Sequence, residues 1–255
     1  MSGISACIVT YGGYDEAVDA ARSVIEHTKA RPLTLYMVDN NSPDGTGRKL
    51  QETDFGPNAK VICLPKNLGF GSGHNQVIPY LDSDYHFVLN PDILVEYDVL
   101  DEICDWMDEH PDVVMSRPSL RFPDGRPQFL PKRRPNVLGL LARQGISFLK
   151  KYGDHYAMLD EDLSGPIDIE FCTGSFFCMR TDVFREMGGF DEGYFMYVED
   201  ADITQKALQR GRVCYLPQII AIHAWHRAPT KHLRSFWMQC KSMGRYFRKW
   251  GFSLK

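Results

Sequence analysis

Between Gly188 and Asp202 the chain places Asp191, Glu192, Glu199, Asp200 and Asp202, five carboxylates in fifteen residues, among the rings of Phe190, Tyr194, Phe195 and Tyr197. A solvated acidic loop has no use for four aromatic rings, and a plain core segment does not tolerate Glu199-Asp200. The mixture describes a lined pocket, where burial raises a carboxylate's proton affinity and suits one of them to base work. A second reading is the acidic start of a helix over Ala201–Gln209, with Glu199, Asp200 and Asp202 at the positive end of its dipole. The two readings are compatible.

Other candidate groups fall where extended runs end. Asn90-Pro91-Asp92 follows the run Tyr85–Leu89. A carboxylate there can hold a hard cation such as Mg²⁺ or Mn²⁺ against a diphosphate, and His223, after another extended run, can add an imidazole ligand to Mn²⁺. Asp39, after Leu33–Val38, can accept a hydrogen bond from a base or ribose. Gly69-Phe70-Gly71-Ser72-Gly73 has the glycines of a dinucleotide loop, but with G-x-G-x-G spacing after the third strand rather than G-x-G-x-x-G after the first. A Gly-Lys-Ser/Thr loop and a serine nucleophile elbow are both missing from the sequence.

These groups need a scaffold, and the hydrophobic pattern supplies one. Strands are expected at Ile4–Thr10, Leu33–Val38, Val61–Leu64, Tyr85–Leu89 and Val113–Ser116. Helices are expected from Asp15 to His27, from the glycine loop's end through Leu81, and over Val99–His110. This alternation predicts an α/β domain with a mainly parallel, Rossmann-like sheet, whose ligands bind beyond the carboxyl ends of the strands. Thr10-Tyr11, Asp39 and Asp92 all stand at such ends. Farther on, Pro123-Asp124-Gly125 marks a turn, and Pro131–Pro135 an exposed basic loop. Thr181 is a cap for a helix to Met187, and Val213–Leu216 and Ile219–Ile222 are two further strands.

Charge is divided unevenly. The first 202 residues hold 18 basic and 33 acidic side chains, whereas residues 203–255 hold eleven Lys and Arg and no Asp or Glu. An acidic body with a basic end suggests that the end faces something anionic. Leu233, Phe236, Trp237, Cys240, Met243, Phe247 and Trp250 recur at helical spacing within 231–250, and Lys231, Arg234, Lys241, Arg245, Arg248 and Lys249 lie opposite. Such a helix either packs on the main domain with a solvated basic face or lies on an anionic membrane surface. Seven scattered cysteines without C-x-x-C spacing argue against a disulfide framework or zinc site and fit a reducing cytoplasm. Neither a secretory signal nor an apolar run long enough to cross a bilayer is visible. Nucleic acid is not an expected partner, because the body is acidic and no recognition module is present.

As an ordered set, the motifs resemble the family 2 glycosyltransferases of the GT-A, nucleotide-diphospho-sugar transferase fold. The set comprises Val9-Thr10-Tyr11, Val38–Ser42, Asn67–Gly71 with Asn75, Leu89–Asp92, Thr173-Gly174-Ser175, and Gly189–Glu192 through Glu199–Asp202. The wording Asn90-Pro91-Asp92-Ile93 with Gly193–Asp200 is most similar to bacterial rhamnosyltransferases of surface-polysaccharide synthesis. The resemblance implies one catalytic domain over 1–228, with a nucleotide-sugar half (1–116) and an acceptor and catalytic half (117–228), followed by a basic amphipathic helix over 229–255. It implies inverting transfer from a nucleotide-sugar donor, dTDP-β-L-rhamnose, to a glycan or lipid-linked glycan at the cytoplasmic face of the inner membrane. In that scheme Thr10, Tyr11 and Asp39 hold the base, and Asn67, Gly71 and Asn75 close around the nucleotide. Asp92 binds Mn²⁺ or Mg²⁺ with His223, and Asn90 replaces the first carboxylate of the family's Asp-x-Asp motif. Asp200 is the general base with Glu199 as runner-up, and Trp225, His226 and Lys132-Arg133-Arg134 are acceptor contacts. A nucleotidyltransferase and a non-catalytic sugar-binding relative remain as other readings, and a homodimer stays open.

Overall fold

The computed structural model describes residues 3–128, 131–142, 147–224 and 233–252. Its first half alternates as expected: β1 (Ile4–Thr10), α1 (Tyr14–His27), β2 (Leu33–Asp39), α2 (Thr46–Glu52), β3 (Ala59–Cys63), α3 (Phe70–Asn75), β4 (Tyr85–Leu89), β5 (Ile93–Leu94) and α4 (Val99–Glu109). The second half adds β6 (Val113–Arg121), β7 (Pro127–Gln128), α5 (Val137–Ala142), α6 (Lys150–Tyr156), β8 (Ile167–Asp168), β9 (Phe176–Arg180), α7 (Thr181–Glu186), α8 (Glu199–Leu208), β10 (Arg212–His223) and α9 (Leu233–Trp250).

The sheet runs β3-β2-β1-β4-β9-β6-β10-β5, with β7 on β6 and β8 on β10. It is mixed rather than mainly parallel. Strands β3, β2, β1 and β4 are parallel, but β9 is antiparallel to both β4 and β6. The cause is where the chain re-enters the sheet. After β6 it makes a long excursion beyond the strand ends and returns at that same edge, so Phe176 pairs with Leu89, the last residue of β4. This direction sets Thr173-Gly174-Ser175 beside Asn90, whose N–H donates to the Ser175 carbonyl at 2.8 Å.

Alternation along the buried strands feeds two faces. Ile4, Ala6 and Ile8 with Leu35, Met37, Phe87 and Leu89 pack under α1, α2 and α4. Cys7 and Val9 with Tyr36, Val38, Val88 and Phe177 pack toward α7, α8 and the ring of Phe190.

Three local expectations change. The glycine-rich stretch is itself helical as α3, because its glycines permit close packing rather than an open loop. Thr181 is the first helical residue of α7, with Arg180 at the cap position. The two expected strands near the end form the single strand β10, with an irregular register between Leu216 and Ile220.

Helix α9 docks by its last turns. Tyr246 and Phe247 are buried with Tyr156, Phe171, Tyr194 and Ala201, whereas Phe236, Trp237 and Cys240 are exposed. The docked end is fixed by charge. Asp202, fully buried, accepts hydrogen bonds from Lys249 Nζ (2.9 Å) and Trp250 Nε1 (2.7 Å). Asp191 is bound by Arg245 (2.7 Å) and Lys249 (3.1 Å), whose charges outweigh burial and hold its carboxyl down at about 2. Asp202→Ala would leave the Lys249 ammonium and the indole N–H without their buried acceptor. We predict a loss of about 2 kcal/mol, a drop of about 4–8 °C in Tm. An unchanged melt would show that Asp202 does not help to hold α9.

Candidate active site

A cavity of about 440 Å³ opens where β4, β9, α8 and α9 meet. Asn90, Thr173, Gly174, Ser175, Glu199, Asp200 and His223 supply its polar wall, and Phe70, Tyr156, Phe171 and Met243 its apolar wall.

The carboxylates reach this cavity through an unusual start to α8. Tyr197 (φ 70°) and Val198 (φ 68°) both occupy the left-handed region, which a β-branched residue rarely adopts. Such strain persists only where surrounding contacts over-determine it. Gly69 is one of those contacts: it has φ 89°, and a Cβ there would collide with the Phe195 carbonyl. Phe70 N–H donates to that carbonyl at 3.2 Å. Ser242 Oγ on α9 donates to the Met196 carbonyl at 2.9 Å.

Glu199 and Asp200 stand side by side but in different surroundings. Glu199 Oε2 is buried without a hydrogen-bond partner, and burial, then the neighbouring Asp200 charge, pushes its carboxyl up to about 8. Burial also raises Asp200, but there the rise is opposed. Asp200 Oδ2 accepts the Gly174 N–H (3.2 Å), Oδ1 accepts the Ala201 N–H (2.9 Å), and the Lys132 charge acts on the same group. Two such carboxylates titrate as a pair, and Asp200 is the member equipped to ionise first. Glu199 is then the member of the pair that keeps its proton to higher pH.

Asp92 lies beyond the cavity wall, with Oδ1 3.2 Å from His223 Nε2. The ring is oriented from behind. Gln128 Nε2 donates to the His223 carbonyl (2.9 Å), so Gln128 Oε1 faces Nδ1 at 2.6 Å and accepts its proton. In the neutral ring Nε2 therefore presents its lone pair toward a carboxylate oxygen, an arrangement that a cation between them relieves. Two ligands of one octahedral cation at about 2.1 Å stand about 3 Å apart. A second ring nitrogen tied to an amide oxygen is the usual support of a metal-binding histidine. The pair fits a hard divalent cation. Among the described residues no cluster of three His, Cys, Asp or Glu side chains suits a metal, so further oxygen ligands would come from substrate.

The remaining expected residues are placed in two groups. Thr10 and Asp39 face each other in register on β1 and β2, both buried. Thr10 Oγ1 donates to the Gly12 carbonyl, and Asp39 accepts from Ser42 N (3.1 Å) and Ser42 Oγ. Tyr11 is exposed beside them. Asn67, Gly71 and Asn75 have structural partners within the chain. Asn67 Oδ1 accepts the Gly69 N–H, and a Cβ at Gly71 would fall 2.6 Å from Phe190 Cβ. Asn75 exchanges two 2.9 Å hydrogen bonds with the Phe190 backbone.

The basic loop divides likewise. Arg133 binds Asp160 and Glu161, and Arg134 binds Glu170 and the Trp250 carbonyl. Lys132 alone of the three lines the cavity, 5.1 Å from the Phe171 ring centroid. Trp225 and His226 lie outside the described residues. Gln128, Tyr156, Phe171 and Gln239 escaped the sequence reading, and Met243 was read only as part of a helix's apolar face, because nothing local marks residues that reach a site only through the fold. Asn40 stood inside a quoted motif. It joins β2 to α3 by donating to the Gly69 carbonyl (3.0 Å) and accepting from Leu68 N (2.8 Å).

The mixed sheet flanked by helices, with a pocket beyond its strand ends, has the architecture of a GT-A type domain. The structure of GalNAc-T7 with UDP, GalNAc and Mn²⁺ superposes with a TM-score of 0.68 at 16% identity, over 91% of this chain. This chain spans 46% of the length of that one. The family model "Glycosyl transferase family 2" matches residues 5–188, and the chain belongs to that family. It is 28% identical over 223 residues to N-acetylglucosaminyl-diphospho-decaprenol L-rhamnosyltransferase of Mycobacterium tuberculosis, covering 80% of this chain and 71% of the relative. It is 30% identical over 190 residues to rhamnosyltransferase WbbL of Escherichia coli (strain K12), covering 71% and 70%.

Beneath the site two histidines are buried as neutral rings. His74 lies between Phe70 and Phe190 with neither nitrogen hydrogen-bonded, and burial holds its pKa well below 6.5. Burial lowers His86 to about 3. The unfolded chain binds protons at these rings below pH 6.5 and the folded chain does not, so stability falls as pH drops through that range. Between pH 7 and 5 His86 should contribute a loss of about 2 kcal/mol, and His74 adds to it in the same direction. Urea unfolding at the two pH values should show a smaller drop in His74→Phe than in the wild type. Equal drops would show that His74 is not a source of the acid sensitivity.

Proposed function

We propose that this chain transfers L-rhamnose from dTDP-β-L-rhamnose, with inversion, to a hydroxyl of a lipid-linked glycan. The observation that carries this reading is the adjacent Glu199–Asp200 pair, one carboxyl buried without a hydrogen-bond partner and the other bound by the Gly174 and Ala201 N–H groups, in a cavity that also presents Asn90 and His223. The two relatives named as rhamnosyltransferases support the choice of sugar, and the decaprenol in one of their names supports the lipid-linked acceptor.

The nucleotide-sugar half is residues 1–116, with Thr10, Tyr11 and Asp39 at the base, and Asn67, Gly71 and Asn75 shaping the wall behind the nucleotide. The acceptor half is residues 117–228. Asp200 takes the proton of the acceptor hydroxyl as its oxygen bonds to the anomeric carbon. The bond from that carbon to the diphosphate oxygen breaks, and dTDP leaves carrying the bonding electrons. Attack opposite the leaving group converts the β-linked donor to an α-linked product. Asp92 and His223 would hold Mn²⁺ or Mg²⁺, which supplies Lewis-acid stabilisation of charge on the diphosphate. Phe171, Tyr156 and Lys132 form the acceptor side of the cavity.

A panel of UDP- and dTDP-sugars with a lipid-linked acceptor tests the reading. Turnover is expected with dTDP-rhamnose, lost with EDTA and restored by Mn²⁺. Asp200→Asn should lower kcat by about 10²–10⁴-fold while donor binding is kept. Full turnover by that variant removes Asp200 as the base, and turnover only with another donor replaces the sugar.

Membrane association belongs to the same proposal. With Arg245 and Lys249 turned toward Asp191 and Asp202, the described side chains of α9 available to an anionic surface include Lys241, Arg248, Phe236 and Trp237, all exposed. The protein should co-sediment with vesicles containing anionic lipid, less so at high salt, and Phe236→Ser/Trp237→Ser should release it. Equal recovery of this variant on vesicles would exclude α9 as the contact.

A further inference from the structure

A second cavity of about 440 Å³ lies between the loop carrying Gly193 and Phe195 and helix α9. Its charged side chains are Lys241, Arg245 and Arg248, and among the described residues no carboxylate lines it. The three cations recur at intervals of four and three, so one face of the helix presents them together. Like charges at that spacing repel, and residues 203–255 hold no Asp or Glu to offset them. The body of the protein offsets only one. Arg245 Nη2 donates to Asp191 Oδ1 at 2.7 Å, and its guanidinium lies over the Tyr194 ring. Lys241 and Arg248 are exposed and form no ion pair among the described residues.

Two glycines shape the cavity. A Cβ at Gly193 would collide with the Arg245 guanidinium, so bare backbone there lets Arg245 lie against the loop. Gly244 is a different case. It stands inside the 18-residue helix α9, where glycine is the least favourable residue after proline, yet nothing lies within 4 Å of the place its Cβ would take. Packing does not require this glycine, and the missing side chain leaves its volume to the cavity it lines. An apolar wall adjoins the cations. Phe195 and Met238 line the same cavity, and Phe236 and Trp237 are exposed on the turn of α9 before Lys241. The next residues along both segments, Met196 on the loop and Gln239 on α9, line the catalytic cavity instead. Ser242 Oγ holds the two segments together through the Met196 carbonyl. The two cavities therefore share a wall.

We propose that this second cavity binds the phosphate or diphosphate group of a lipid carrier, while the sugar attached to it reaches the catalytic cavity across the shared wall. Clustered cations suit a polyanion, and exposed rings beside them suit the alkyl chain it carries, which free phosphate lacks. This inference rests on the lipid-linked acceptor of the proposed transfer.

The test is calorimetric titration of the full chain with farnesyl diphosphate, farnesol and inorganic diphosphate, with EDTA present so that no cation at Asp92 and His223 competes. Farnesyl diphosphate should bind about tenfold tighter than inorganic diphosphate or better, and farnesol should not bind. Lys241→Gln/Arg248→Gln should weaken farnesyl diphosphate by about tenfold or more. Gly244→Leu fills the cavity with charge unchanged; it should weaken the ligand likewise, melt no lower than the wild type and still co-sediment with phosphatidylglycerol vesicles. Farnesyl diphosphate binding that ignores Gly244→Leu overturns the site. Inorganic diphosphate binding equally tightly overturns the lipid assignment, and loss of Gly244→Leu from vesicles assigns the cavity to membrane headgroups instead. Ligand binding that responds to both variants in a protein that transfers no sugar sinks the transferase reading alone. Transfer to a lipid-diphosphate acceptor with a KM that neither variant changes sinks the second cavity alone.

Discussion

Asn75 accepts from the Phe190 N–H and donates to the Phe190 carbonyl, and the rest of the site depends on that exchange. It pins the acidic loop to α3 across 115 residues of chain. The pin works only if helix and loop touch backbone to backbone, which is why side chains are missing at Gly69 and Gly71. From Phe190 onward the loop has little freedom. Its carbonyls at Phe195 and Met196 are taken by Phe70 N–H and Ser242 Oγ, and it must turn through two left-handed residues before α8 can begin. The strain at Tyr197 and Val198 is the cost, order 1–3 kcal/mol for each, of aiming the first turn of α8 into the cavity.

The same clamp sorts five carboxylates by partner. Asp191 and Asp202 meet cations of α9 and act as anchors. Glu192 reaches Asn75 at 3.2 Å. Only Glu199 and Asp200 line the cavity. Adjacent residues on a helix point about 100° apart, so the two acids share a charge environment without sharing hydrogen bonds. One turns to backbone N–H groups and ionises, and the other turns to an apolar wall and keeps its proton.

The sequence made the parallel half of the sheet legible because β1, β2 and β4 are short apolar runs of aliphatic, aromatic and β-branched residues closed by turn residues, a signal that needs no tertiary help. The direction of β9 was not legible, since it depends on the edge at which a long excursion returns. Asn75 and Gly71 read as nucleotide contacts because motif position says nothing about which way an amide faces. The basic tail was read as facing an anion, and for Arg245 and Lys249 the chain itself provides it in Asp191 and Asp202. Arg117 gave no signal at all. It stood just past the expected strand Val113–Ser116, and its burial follows from β6 running on to Arg121 beside β10.

The proton on Glu199 bears on more than the base. A nucleoside diphosphate arrives with two or more negative charges, and a cavity holding Glu199, Asp200 and the nearby Asp92 all ionised would repel it. With Glu199 protonated, the pair adds one charge instead of two, and a cation at Asp92 and His223 would oppose the rest. On the proposed reading, a carboxyl raised to about 8 serves donor binding as well as catalysis, and burial is the larger cause, with the Asp200 charge second. In the proposed reaction, the acid with backbone N–H groups and the Lys132 charge around it is the one that would take the acceptor's proton. Glu199, one residue away, holds its proton to higher pH, so that reaction would separate attraction of the donor from activation of the acceptor within a single helical turn.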